Sequence, residues 1–299
     1  MVWASGWKLA SAVSNSGGLG LIGAGSMYPE ILREHIQKCK KATKKPFGVN
    51  VPLLYPDIDL LMKVIIEENV PVIFTAAGNP KIWTEHLKNE NRKVVHVVSS
   101  VKFALKAQES GVDALVAEGF EAGGHNGREE TTTLCLVPDV VKAINIPLIA
   151  AGGIIDGKSM LSAMVLGAEG VQMGTRFVAC KESSAHESFK NMVLKAKEGD
   201  TKLTLKELTP VRMLNNTFYR EIIQLYQENA SKEMLVKKLG KGRAKKGMFE
   251  GDLINGELEI GQASSQIKKI HSAAQIIKEI MNEFNKVKQQ INIESKFNF

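Results

Sequence analysis

Two glycine-closed segments carry the clearest chemistry in this sequence. The first runs Ala150-Ala151-Gly152-Gly153-Ile154 and continues through Asp156-Gly157 into a helix-like stretch; the second runs Gly170-Val171-Gln172-Met173-Gly174-Thr175-Arg176-Phe177. Where no side chain stands in the way, backbone N–H groups can close on an anion, and a following helix N-terminus adds its dipole. Two successive strand-like runs that end this way describe a phosphate site better than a pair of plain turns, and Thr175 adds a hydroxyl donor. A third segment, Glu118-Gly119-Phe120-Glu121-Ala122-Gly123-Gly124-His125-Asn126-Gly127-Arg128, puts one histidine, His125, in a glycine loop after another strand-like run. An imidazole there can transfer protons near neutral pH. Taken alone, His125 reads as an ordinary loop histidine; its place beside a phosphate site favours a functional one.

Other motifs are weaker. Gly18-Leu19-Gly20-Leu21-Ile22-Gly23 matches GxGxxG, but it follows a helix-like piece and opens a strand, the reverse of a dinucleotide turn, and is read as a helix cap and tight turn. His35, His86, His96, His186 and His271 form no HExxH or ligand cluster, so no metal site is expected. Cys39, Cys135 and Cys180 lie far apart, which argues against a disulfide framework or a CxxC pair.

These loops need a scaffold. Strand-like runs occur at Leu19–Ala24, Phe47–Val51, Val70–Ala76, Lys93–Val98, Asp113–Ala117, Pro147–Ala151 and Gly170–Gly174. Helical patterns follow at Pro29–Thr43, Ile58–Asn69, Lys81–Asn89, Val101–Ser110, Pro138–Ile144, Gly157–Leu166 and after Ser183, and one more, Trp7–Ser14, precedes the first strand. The repeated βα rhythm predicts an α/β (β/α)₈ TIM barrel, with seven strands after an initial helix, so the first strand is absent; an open doubly wound sheet is the alternative. The barrel is expected over residues 1–205. A smaller, mainly helical, lid-like module follows over 206–263, with Glu221–Leu239 as one helix. A helix over 264–290, with Ile267, Ile270, Ala274, Ile277 and Met281 at helical spacing, should pack back on the barrel.

The 299 residues are 44% apolar and 24% charged, values of an ordinary globular protein rather than a disordered or fibrous one. No apolar run spans a membrane and no signal peptide opens the chain, which predicts a cytoplasmic protein. The net charge of +7 is C-terminal in origin: residues 181–299 hold 21 Lys+Arg against 15 Asp+Glu. Lys237, Lys238, Lys241, Arg243, Lys245 and Lys246 crowd one glycine-containing stretch without interleaved aromatics, so nucleic acid is not expected; a solvated surface is the plain reading, and a phosphate or acidic protein the functional one.

At Ser16–Gly23, Lys45-Pro-Phe-Gly-Val-Asn50, Glu118–Gly127, Ala151–Ile154 and Met173-Gly-Thr-Arg-Phe177 the sequence resembles the flavin-dependent family that joins nitronate monooxygenases (2-nitropropane dioxygenases) with type II enoyl-acyl-carrier-protein reductases. The resemblance implies FMN as cofactor, its phosphate held by Gly152, Gly153, Gly174 and Thr175, with Asn50, Glu118, Gly123, Gly124 and Ala151 around it and His125 as the active-site histidine. Met1 corresponds to the methionine of a Gly-Gly-Met strand end whose backbone lines the flavin, so a chain extended upstream by about one strand is expected.

Asn126 stands where many nitronate enzymes carry proline, and Val97 where they carry lysine. Together with Thr131–Thr133 and Glu182–His186, these departures tilt the resemblance toward the reductases. The leading expectation is an FMN-dependent enoyl-thioester reductase of fatty-acid synthesis that uses NADH or NADPH and is served by an acidic acyl carrier protein docking on Lys237–Lys246. Nitronate oxidation with O₂ and a truncated, non-catalytic flavin-binding barrel are the alternatives; a homodimer stays open.

Overall fold

The computed structural model describes residues 1–291 and 293. Seven parallel strands form one curled sheet: β1 (Gly20–Gly23), β2 (Phe47–Pro52), β3 (Val72–Ala76), β4 (Lys93–Val98), β5 (Ala114–Glu118) and, after a two-residue strand β6 (Gly124–His125), β7 (Leu148–Ala151) and β8 (Gly170–Gln172). Each strand pairs in register with the next, from Gly20 opposite Phe47 at one end to Ile149 opposite Gly170 at the other. Helix α1 (Trp7–Asn15) precedes the sheet, and α2 (Pro29–Ala42), α3 (Ile58–Glu67), α4 (Lys81–Asn89), α5 (Val101–Glu109), α6 (Thr133–Ala143) and α7 (Gly157–Val165) make the crossovers. This is the α/β barrel that the βα rhythm predicts, with strand ends within two residues of their expected places.

Strand alternation divides the core in two, because successive side chains leave a strand on opposite faces. Phe74, Val95, Val116 and Ala151 fill the inside of the curl with Leu21, Val72, Val97, Ala114 and Ile149. Their neighbours Ile73, Val94 and Leu115 face outward and pack with Leu32, Ile36, Leu61 and Val140 of the surrounding helices. Burying each such side chain stabilises by roughly 1.5–3 kcal/mol. Among the described residues β1 and β8 do not pair with each other. The segment Met1–Ser5 sits beside β1: Gly23 N donates to Ser5 O at 2.9 Å and Ser5 Oγ to Leu21 O at 2.5 Å. Ala4 O in turn accepts from Ser184 N and Ser183 Oγ, each at 3.1 Å, which ties this segment to the chain beyond β8.

Several expected boundaries are corrected. Helix α6 begins at Thr133, not Pro138, and carries that proline in its interior. The stretch Glu221–Leu239 is two helices, α10 (Thr217–Gln227) and α11 (Lys232–Leu239), after α8 (Thr175–Val178) and α9 (Glu187–Lys195). Asn229 breaks the run with a left-handed φ of 53°, and Ser231 Oγ caps the new helix by accepting from Met234 N. The last helix, α12 (Ala273–Ile291), starts nine residues later than Ser264, because Gln262–Gln266 forms a 3₁₀ turn instead. It lies against the N-terminus of α7, where Glu283 accepts from Gly157 N at 2.9 Å. An unanticipated hairpin, β9 (Thr201–Thr204) and β10 (Val211–Leu214), pairs with β6 in a second sheet of order β6-β10-β9. No helix among the described residues is long and apolar enough to cross a membrane.

Candidate active site

The loops that follow β5, β7 and β8 emerge on one face, and their backbones line a cavity of about 130 Å³. Eight residues singled out from the sequence meet there: Met1, Glu118, Gly123, Ala151, Gly152, Gly153, Gly174 and Thr175. Asn50 lies within β2, opposite Gly23 of β1 and Phe74 of β3, outside the lining. Gly124 is one residue beyond the wall, facing the Glu259 carboxylate, and His125 is exposed on the adjoining rim.

The glycines differ in what holds them. Gly152 and Gly153 have φ of 94° and 68°, a left-handed turn that lifts the chain out of β7. Gly174 has φ −94° and ψ −66°, which any residue tolerates, so its missing side chain is a matter of space rather than of backbone conformation. Thr175 Oγ1 accepts from Gly261 N at 3.1 Å, which leaves its proton to donate into the cavity. Thr133 links the loops: its N donates to Glu121 Oε2 and its Oγ1 lies within 2.9 Å of both that oxygen and Gly152 O.

Two carboxylates give the cavity its electrostatics. Burial pushes the Glu118 carboxyl up to about 7, opposed by the Met1 ammonium. Burial also lowers the pKa of that amine, while Glu259 and Glu118 raise it; the amine is enclosed although Met1 as a residue is 38% exposed. Glu259 lines the same cavity, and its charge adds to burial in raising the pKa of Tyr55 nearby and of Glu257.

Gln172 and Glu259, together with Met248, Ile260 and Ala263, were not singled out from the sequence. A glutamine in the short strand ahead of the Gly174-Thr175 turn was a readable signal for Gln172. Glu259 lies beyond the βα repeats, in a segment brought over the barrel by tertiary contacts: Met213 pairs with Glu259, Gly261 N donates to Thr175 Oγ1 and Gln262 N to Glu121 O. Gln172 Oε1 is buried with no hydrogen-bond partner among the described residues, an acceptor in the wall that suits a donor.

The basic stretch is largely spent internally. Lys238 pairs with Glu221 at 2.7 Å, Lys245 with Glu250 at 3.2 Å and Lys246 with Asp252 at 3.3 Å. Arg243 caps the carbonyls of Leu239, Asn255 and Lys238. Lys237 and Lys241 are exposed and form no ion pair among the described residues.

The family model for nitronate monooxygenase matches residues 1–60 and 59–283. A probable nitronate monooxygenase of Staphylococcus aureus (strain JH9) is 33% identical, over 94% of this chain and 92% of its own length. FabK from Thermotoga maritima is 44% identical, with a TM-score of 0.93 over 98% of this chain and 93% of that one. A nitroalkane oxidase from Streptomyces ansochromogenes shares the fold at 24% identity and a TM-score of 0.83, over 96% of this chain and 94% of its own. The chain belongs to the nitronate monooxygenase family of FMN-dependent oxidoreductases.

The lining fits such a group. A cradle without Cβ atoms at Gly152, Gly153 and Gly174 suits a phosphate, and the orphaned Gln172 Oε1 suits an N–H donor. The enclosed volume lies below the roughly 300 Å³ of small ligand pockets, so the enclosed part has room for only a portion of a flavin nucleotide.

Proposed function

We propose that this chain is an enoyl-acyl-carrier-protein reductase. The observation that carries the reading is identity: 44% to FabK, an enoyl-acyl-carrier-protein reductase II, against 33% to the probable nitronate monooxygenase. The apolar Val97 inside the barrel, where many nitronate enzymes carry lysine, supports it. Gly152, Gly153, Gly174 and Thr175 would hold the FMN phosphate, and Met1, Glu118, Gly123, Gly124, Ala151 and Asn50 would surround the rest. Bound FMN would supply hydride transfer between NADH or NADPH and the enoyl β-carbon.

The chain's own task is orientation and proton supply. His125, exposed on the rim and without a ring hydrogen bond among the described residues, is placed to orient the acceptor and donate the proton its α-carbon requires. Glu118, titrating near 7, can donate or accept a hydrogen bond at working pH. The acidic carrier would meet Lys237 and Lys241 beside the module that covers the site, since these two lysines keep their charge unpaired. Three free cysteines fit a reducing cytoplasm.

The test gives the FMN-loaded protein NADH or NADPH with a crotonyl thioester, and separately an alkyl nitronate with oxygen. Thioester-dependent nicotinamide consumption supports the proposal; oxygen uptake with the nitronate and no thioester reduction overturns it.

A further inference from the structure

We propose that Arg212 is a positioning residue for His125: its guanidinium clamps the start of the histidine loop while its backbone pairs with the end of that loop. Arg212 lies on β10 and is 2% exposed. Its Nε and Nη2 both donate to Phe120 O, at 3.2 and 3.0 Å, and its guanidinium carbon stands 4.4 Å from the Phe120 ring centroid. Two hydrogen bonds and a stacked ring fix a planar guanidinium in a way that a lysine ammonium cannot reproduce. The same residue pairs with Gly124 across the β6–β10 ladder, and its neighbour Val211 pairs with His125. One side chain and one backbone therefore hold both ends of the turn that carries Glu118 in and His125 out.

The hairpin reinforces the grip further along. Asn126 N donates to Pro210 O at 2.9 Å, and Arg128 donates to Lys206 O and Leu208 O, each at 2.8 Å. The loop is rich in glycine and would otherwise sample many conformations. Its shape is thus imposed by the β9–β10 hairpin, which the barrel does not contain. Arg212 is not among the residues that line the cavity, so its effect on the site must pass through the loop.

The role of His125 as the group acted upon rests on the reductase reading, so the experiment has one arm that needs no acceptor. Arg212→Lys is compared with wild type, His125→Ala and the double variant, with flavin reduction and acceptor reduction followed separately by stopped flow. A displacement of about 1 Å at the histidine costs up to the order of 10²-fold, so Arg212→Lys should slow the acceptor step about 10- to 100-fold. Flavin reduction and FMN affinity should stay within about twofold. In the His125→Ala background the same change should cost less than about twofold more, because the residue being positioned is gone. Losses that multiply in the double variant, or a parallel fall of both half-reactions and FMN binding, overturn the proposal. Phe120→Leu keeps the carbonyl and removes the stacked ring, and gives a milder version of the same pattern if Arg212→Lys folds poorly. Hydrogen exchange supplies the independent arm: amides of Gly124 and Asn126 should exchange at least about tenfold faster in Arg212→Lys, with those of β2–β4 unchanged. Unchanged exchange there refutes the clamp whatever acceptor the enzyme uses. A protein that reduces no thioester yet shows the faster local exchange refutes the function and keeps the clamp.

Discussion

Replacing Gly174 with valine separates a glycine kept for a ligand from one kept for the chain. At φ −94° and ψ −66° an L residue is unstrained, and a Cβ built there lies 3.5 Å from Met1 Cγ and 3.8 Å from its Sδ, ordinary contact distances. The two added methyls reach about 1.5 Å further, into the cavity or against a flexible methionine, so the apo fold should lose no more than about 1 kcal/mol. Ligand binding is affected differently. A phosphate kept from this backbone forfeits a charge-assisted hydrogen bond of about 1.5–3 kcal/mol, which weakens FMN about 10- to 150-fold. Gly152→Ala is the control, because its φ of 94° penalises any side chain and its Cβ would fall 2.8 Å from Gly119 O. That change should cost the apo protein about 2–4 kcal/mol. Fluorescence titration of FMN and thermal melting without FMN measure the two effects. Gly174→Val protein that binds FMN within about twofold of wild type would place the phosphate elsewhere.

Other consequences can be measured alongside. His96 is buried against Thr75 with its ring nitrogen 2.7 Å from the hydroxyl, and burial holds its pKa down to about 4. Its stabilisation is complete above the ordinary value near 6.5 and is lost as pH falls toward 4, by up to about 3 kcal/mol, so urea unfolding of a His96→Gln variant should lose that part of the acid dependence. Glu118 works in the opposite sense: its raised pKa makes the folded state less stable as pH climbs from about 4.5 to 7, and Glu118→Gln should stabilise the apo protein at pH 8. His125→Ala should slow the acceptor step on the order of 10²–10⁴-fold with the thermal midpoint nearly unchanged; equal rates per bound flavin would remove its catalytic role. Charge reversal at Lys237 and Lys241 should raise KM for carrier-bound thioesters but not for a small crotonyl thioester, and equal effects on both would end the docking proposal.

The barrel was legible in the sequence because each of its strands is a short apolar run set off by glycine, proline or polar residues, so type and order follow from local pattern. That Gly152, Gly153, Gly174 and Thr175 would meet on one face was legible for the same reason, since each follows the end of one of these strands within a few residues. The hairpin β9–β10 was not: its strands have four residues each, too short for alternation to stand out, and its partner β6 has two. Glu259 and Arg212 entered the picture only through pairing with residues 46 and 88 positions away, Met213 and Gly124. The basic stretch holds fewer unpaired charges than a linear reading counts, because Glu221, Glu250 and Asp252 pair with Lys238, Lys245 and Lys246.

The central claim concerns the electron acceptor, and an anaerobic single-turnover experiment reaches it most directly. FMN-loaded protein is bleached with NADH or NADPH, oxygen is excluded, and a crotonyl thioester is added while the visible flavin absorbance and the thioester are followed. The account predicts that the yellow colour returns without oxygen as one equivalent of saturated thioester forms. Flavin that stays bleached with the thioester, in a protein that consumes oxygen when given a nitronate, would contradict it.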